Sequence, residues 1–212
     1  MAQRSQQLSD ERRRLRRLRR TLPARERLSA ERRITASLRA LGLLVRGRRV
    51  AVYLAADGEV DLDGLIRVAR HAGVRLYAPR VTSIRRRSMA FVPLPADAPM
   101  TRNRYGIAEP TVSLARRLAP PHLDTVIAPL VGFDRLGHRL GMGAGFYDRA
   151  LRRRLATGRA WRRPRFVGVA FACQETSTLS AAAWDVPLDL VVTERGVLRP
   201  SGARSQHRWS KT

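Results

Sequence analysis

A chain of 212 residues, 44% of them apolar, is long enough for one α/β domain with a real core. Its longest apolar runs, such as Val167 to Cys173, fall far short of the ~20 residues a bilayer-crossing helix needs, and its charged N-terminus lacks the apolar stretch of a secretory signal. The net charge of +25 rests almost entirely on arginine, with Lys211 the single lysine, a bias that reads as GC-rich codon usage rather than a surface selected for a polyanion, although nonspecific RNA binding at low salt is still expected.

The first 49 residues read as a two-helix arm. Ser9 is placed to cap the first helix, in which Leu15, Leu18 and Leu22 recur at helical spacing until Pro23 interrupts. Ser29 is placed to cap the second, with Glu31 in its first turn, Ile34, Leu38 and Leu41 as its apolar stripe and Gly42 as its stop. From Val50 the period changes. Strands are predicted at Val50 to Leu54, Val74 to Ala78, Ser88 to Leu94, Thr125 to Leu130, Phe166 to Ala172 and Leu188 to Thr193. Helices are predicted at Leu62 to Ala72, stopped by Gly73, at Val112 to Leu118, ended by Pro120 and Pro121, and at Phe146 to Leu155. This alternation predicts a single α/β domain over residues 1–200, with a mostly parallel sheet covered by helices on both faces. Residues 201–212 are polar and basic and are expected to be a disordered tail. Cys173, the one cysteine, sits in an apolar run and is expected to be core; no internal disulfide framework can form, which fits the cytoplasm.

The segment from Asp124 to Arg149, DTVIAPLVGFDRLGHRLGMGAGFYDR, carries the chemistry. A buried strand leads into a polar turn, then into glycines at 141, 143 and 145, then into a helix. Glycines without Cβ atoms let the backbone approach a ligand and turn its N–H groups inward, and a helix start adds unpaired N–H groups. Together these make a phosphate site. Arg139 and Arg149 flank it, and Asp148 in the first helical turn is placed to hold a Mg²⁺ ion that bridges phosphate oxygens. A tight turn whose glycines serve packing alone is the plainer reading. Neither a P-loop nor a dinucleotide-binding GxGxxG is present. His71, His122, His138 and His207 show no metal-ligand spacing, and no G-x-S-x-G elbow is found.

RLGMGAGFYDR, after a strand ending P-x-x-x-F-D, resembles the signature of the 5-formyltetrahydrofolate cyclo-ligase family. AVYLAADGEVDLDGL, YAPRV, NRYGIAEP, VGVAFACQ and WDVPLDLVVTE resemble further family segments in the family's order, and RRRLR at residues 12 to 16 resembles its K-x-x-L-R. The resemblance covers roughly residues 12 to 195. It implies an ATP-dependent cyclisation of 5-formyltetrahydrofolate to 5,10-methenyltetrahydrofolate, with ADP and phosphate released and Mg²⁺ as cofactor. It places ATP on Arg12, Arg16, Arg139, Gly141, Met142, Gly143, Ala144, Gly145, Phe146 and Tyr147, with Arg139 and Tyr147 in catalytic positions. It places the reduced folate on Leu54 and Glu59, and the metal on Asp148 and Asp185. Read without the resemblance, Glu59 is a turn residue and the arginines of the first helix form a solvated face.

The chain departs from the family pattern at four positions. Ala144 stands where some members carry a phosphate-binding lysine, Phe146 where a tyrosine is usual, Trp184 where a histidine precedes the metal-binding aspartate, and Arg12 where lysine is usual. The competing readings are a basic nucleic-acid-binding module and an enzyme of the same fold that acts on another acylated amine. Residues 1 to 49 contain no Phe, Trp or Tyr, the interleaved aromatics that a single-strand binder uses. No specific nucleic-acid partner and no membrane partner are expected.

Overall fold

A computed structural model describes residues 2–156, 163–177 and 179–200. The tail expected at residues 201–212 lies outside them.

Two helices open the chain, α1 (Ala2–Arg20) and α2 (Ala24–Ala40). Pro23 divides them as expected, and it occupies the N-cap position of α2 itself, in an extended conformation that suits the entry to a helix. Ser9 and Ser29 therefore lie inside helices and cap neither: α1 already runs through residues 2–8, and α2 starts at the proline rather than at a side-chain cap. Gly42 ends α2 in the left-handed region (φ +64), as predicted.

The sheet has seven strands. In chain order these are β1 (Arg49–Ala51), β2 (Arg75–Ser83), β3 (Ser88–Pro93), β6 (Thr125–Pro129), β9 (Arg165–Val169), β10 (Leu190–Thr193) and β11 (Gly196–Leu198), arranged β11-β10-β9-β6-β1-β2-β3. The five central strands are parallel, and β3 and β11 close the two edges antiparallel. Helix α3 (Asp63–His71) joins β1 to β2. Along each central strand alternate residues enter opposite cores. Val50, Val52, Ile127, Val167, Val169 and Leu190 meet Ile34 and Leu38 of α2 and Leu65 and Ala69 of α3. Ala51, Val126, Ala128, Phe166 and Val191 meet Leu123, Phe133, Val186, Leu188 and Leu151, the last from α4 (Phe146–Leu151). The fold is a single α/β domain with helices on both faces, and the N-terminal helices pack onto it: α2 belongs to the first core, and Leu15 of α1 is sealed against Val131, Leu140 and Leu179.

Several elements differ from the periodicity reading. β1 is shorter than expected and β2 longer, because β2 continues as an antiparallel hairpin with β3 past the end of β1. The helix expected at 112–118 is one 3₁₀ turn, Leu114–Arg116, since Leu118 is drawn into a bridge with Phe91 of β3. The helix expected at 146–155 divides into α4 and α5 (Arg153–Ala156). Two small hairpins, β4–β5 (Met100–Arg102, Ala108–Pro110) and β7–β8 (Gly132–Phe133, Arg139–Leu140), were not foreseen.

From β1 the chain turns toward β2, and from β6 it turns the other way, toward β9. The crevice beyond the carboxyl ends of β1 and β6 is thus a topological switch point, where open α/β sheets bind ligands. Among the described residues, no helix is long and apolar enough to cross a membrane.

Candidate active site

The loop that leaves β6 forms the glycine turn. It is reached through the β7–β8 hairpin, which is pinned by buried Asp134: the carboxylate accepts the N–H groups of Leu136 and His138, each at 2.9 Å, and that of Leu179 at 2.8 Å. Gly143 (φ +95) and Gly145 (φ +68) then take left-handed conformations that side chains disfavour. Gly145 occupies the N-cap position of α4, and no side chain caps that end. With only six residues, α4 has a weaker dipole than the longer predicted helix, so the two left-handed glycines bear most of the anion-binding argument. Two guanidinium groups bracket the turn. Arg12 Nε donates to the Gly141 carbonyl at 2.8 Å, and its Cζ lies 3.8 Å from where a Cβ on Gly143 would stand. Arg149 donates to the carbonyls of Ala144 (2.9 Å) and Gly145 (3.3 Å). Met142 is exposed at the tip, and Phe146 meets Tyr105 of the β4–β5 hairpin edge-on at 6.3 Å.

The arginines of α1 divide by partner. Among the described side chains of α1, Arg12 is the arginine that donates to the turn, and Arg16, expected at the phosphates, donates to Asp57 Oδ2 at 2.7 Å. Arg20 also pairs with Asp57, while Arg13 and Arg14 pair with Asp10 and Glu11 on their own helix. Arg19, which sequence periodicity did not single out, is fully buried and bonded to the Asp57 and Leu130 carbonyls.

Glu59 lies in the same loop after β1. One of its oxygens accepts the Ala56 N–H at 3.1 Å, and the other is 3.9 Å from Arg19. Burial pushes its carboxyl above the usual glutamate range, and Arg19 partly opposes the shift. Tyr147, at the start of α4, stacks on Phe166 at 6.2 Å. Its phenol is pushed up, chiefly by burial and further by the Glu59 charge, with Arg139 opposing. Leu54 is partly buried against the α2–α3 core.

Asp148 is not a free carboxylate. Its Oδ1 accepts from Arg139 at 2.5 Å and from the Val186 N–H at 3.0 Å, while Arg139 also donates to the Val186 carbonyl and lies 4.9 Å over the Phe166 ring. Val186 follows Asp185 directly, so this backbone hydrogen bond to Asp148 comes from the residue next to the second expected metal ligand. Asp185 Oδ2 accepts the Ala182 N–H at 2.8 Å. Among the described residues no three side chains form a ready-made metal cage. Carboxylate oxygens are the hard donors that suit Mg²⁺, an ion that takes its remaining ligands from phosphate and water.

NRYGIAEP proves to be a scaffold. Asn103 Oδ1 accepts the N–H groups of Tyr105 and Ile107, its Nδ2 donates to buried Glu109, and Glu109 accepts the Val81 N–H at 3.0 Å. A cavity of about 1200 Å³ lined by Glu11, Asp134, Cys173, Thr176 and Arg195 among others includes none of the predicted site residues.

The 5-formyltetrahydrofolate cyclo-ligase family matches this chain over residues 4–194. A protein of Haemophilus influenzae named 5-formyltetrahydrofolate cyclo-ligase is 34% identical over 195 residues, covering 90% of this chain and 98% of that one. One of the same name from Escherichia coli K12 is 38% identical over 152 residues, covering 71% and 80%. Among solved structures, the 5,10-methenyltetrahydrofolate synthetase of Aquifex aeolicus superposes with a TM-score of 0.77 at 30% identity, covering 97% of this chain and 99% of that one.

Proposed function

The chain belongs to the 5-formyltetrahydrofolate cyclo-ligase family, and from that premise we propose that it converts 5-formyltetrahydrofolate and ATP to 5,10-methenyltetrahydrofolate, ADP and phosphate. The observation that supports this reading is that a glycine turn bracketed by Arg12 and Arg149 follows β6 while the partly shielded carboxylate of Glu59 follows the neighbouring β1, at one switch point. The first is an anion site; the second suits the N–H groups of a pterin ring.

An N-formyl oxygen leaves poorly as hydroxide. In the proposed reaction it attacks the γ-phosphorus, an O–P bond forms, the bond to the β-phosphate oxygen breaks and ADP departs. The N10 lone pair then closes on the formyl carbon, phosphate leaves with the former formyl oxygen, and the N10 proton is released. No protein nucleophile is required. The chain's part is to align the reacting atoms and to neutralise developing charge. The N–H groups of residues 141–145 and the Arg12 and Arg149 guanidiniums hold the triphosphate. Arg139, fixed by Asp148 and the Val186 carbonyl, adds positive charge beside Tyr147. Glu59 orients the pterin, with Leu54 against its apolar side. Asp148 and Asp185 are the residues that would hold Mg²⁺, which supplies charge neutralisation on the phosphates when bound.

Turnover of substrate carrying heavy oxygen in the formyl group tests the mechanism. The reading requires the label in inorganic phosphate, with ADP and methenyltetrahydrofolate formed in equal amounts; label released into water would refute the phosphorylated intermediate.

A further inference from the structure

Arg19 is a charged side chain with no solvent exposure, 0%. Its Nε donates to the Asp57 carbonyl at 3.0 Å, its Nη1 to the Leu130 carbonyl at 3.1 Å and its Nη2 to Asp57 Oδ2 at 2.9 Å; Nη2 also lies 3.9 Å from Glu59 Oε1. Leu130 follows β6 directly, and Asp57 and Glu59 lie in the loop after β1. One guanidinium therefore spans the crevice between the two strand ends at which the switch point opens. The loop it grips is bent sharply: Asp57 (φ +53) and Gly58 (φ +73) are both left-handed, the first of them not a glycine. Arg16 and Arg20 hold the outer side of Asp57, and Arg27 of α2 donates to the carbonyls of Gly58 (3.0 Å) and Glu59 (3.5 Å). An apolar residue at this enclosed helix position would pack without the desolvation that a buried cation suffers, so the use of arginine lies in what it holds.

We propose that Arg19 is a positioning residue for the folate: it locks the Asp57–Glu59 turn to the end of β6 and sets a counter-charge behind Glu59, so that this carboxylate accepts from the N–H groups of the pterin. The proposal rests on the reading of Glu59 as the folate-side carboxylate. The charged and titratable groups around Glu59 are Arg19 and Arg16 from α1, Arg27 from α2, Tyr53 two residues past β1, Tyr147 from α4, and Asp57 in its own loop. Arg19 opposes the effect of burial on the Glu59 carboxyl more strongly than Arg16 does. Removing Arg19 thus drives Glu59 toward its protonated form.

The test is steady-state kinetics across pH on the full chain and on Arg19→Met, Arg19→Lys, Glu59→Gln and the Arg19→Met/Glu59→Gln double variant, each with a melting curve. Arg19→Met is expected to raise the folate KM about tenfold or more, the scale of one charged hydrogen bond, to leave the ATP KM nearly unchanged, and to move the acid limb of kcat/KM for folate to higher pH. Arg19→Lys keeps the counter-charge and is expected to keep that limb, with an intermediate KM. The double variant is expected to be no worse than the poorer single one. A folded Arg19→Met with wild-type folate KM and acid limb, equal damage to the ATP KM, or multiplicative effects in the double variant would overturn the proposal. Should Arg19→Met not fold, Arg19→Lys decides: a wild-type folate KM there counts against the positioning role, and a raised KM with the acid limb kept supports it. An unchanged folate KM in Glu59→Gln defeats the assignment of Glu59 itself, whereas a raised one beside a silent Arg19→Met defeats only the role of Arg19.

Discussion

Replacing Gly143 by valine separates a phosphate-binding turn from a merely structural one. Gly143 sits at φ +95, where L side chains are strained, and its Cβ position lies 3.8 Å from Arg12 Cζ. The β-carbon itself would make an ordinary contact; the two methyl groups beyond it reach into the space of the guanidinium. The strain is on the order of 1–3 kcal/mol, against roughly 5–15 kcal/mol for a domain of ordinary stability, so the variant is expected to fold. Binding has more to lose. Relaxing the strain rotates the peptide planes on either side of residue 143, and displacing Arg12 breaks its 2.8 Å anchor to the Gly141 carbonyl. Loss of two charged hydrogen bonds to the triphosphate, at about 1.5–3 kcal/mol each, weakens ATP binding by on the order of 10²- to 10⁴-fold. Calorimetric titration with ATP, paired with a melting curve, measures both quantities. A folded valine variant that binds ATP within a few-fold of wild type would refute the phosphate-site argument. If the valine variant fails to fold, Gly143→Ala, which keeps the backbone strain and omits the methyl groups, is the replacement.

Arg12→Ala is expected to raise the ATP KM by roughly 10- to 10²-fold, the scale of one charge-assisted bond, with the folate KM little changed; steady-state kinetics with each substrate varied checks this. Glu59→Gln is expected to do the reverse, raising the folate KM and sparing ATP. Because burial raises the Glu59 carboxyl above its ordinary value of 4.5 and the ionised form is the binding form, kcat/KM for folate is expected to fall as pH drops through a midpoint above that value. The Gln variant is expected to lack this acid limb, and a limb that persists in it belongs to another group. Leu38→Ala empties a fully buried position beneath α2 and is expected to cost about 2–5 kcal/mol by denaturant titration; a cost under about 1 kcal/mol would mean that α2 is not an integral layer of the core.

The site and the fold were unequally legible in the sequence. The glycine turn announces itself because residues 141, 143 and 145 alternate directly after a buried strand. The parallel strands read as short apolar runs because both of their faces are buried, as Thr125–Pro129 and Leu190–Thr193 are. Arg19 was invisible: in a helix so rich in arginine no pattern marks the buried one, and its partners Asp57 and Leu130 lie 38 and 111 residues away. The same crowding hid which arginine faces the turn; in the fold, Leu15 packs against Val131 and Leu140, Arg12 bonds the turn and Arg16 bonds Asp57. The β4–β5 and β7–β8 hairpins escaped because strands of two or three residues leave no measurable period. Ser9 and Ser29 misled because a good capping residue also tolerates a helix interior, and Pro23 is the stronger punctuation.

An omission series tests whether ATP drives cyclisation of a reduced folate at the β1–β6 switch point. Purified protein is mixed with 5-formyltetrahydrofolate, ATP and Mg²⁺, each left out in turn, and methenyltetrahydrofolate is followed by its absorbance. Product is expected to accumulate only when all are present with the protein, and EDTA is expected to stop it. Product formed at the same rate without ATP, or none from a folded protein with every component supplied, would contradict that expectation.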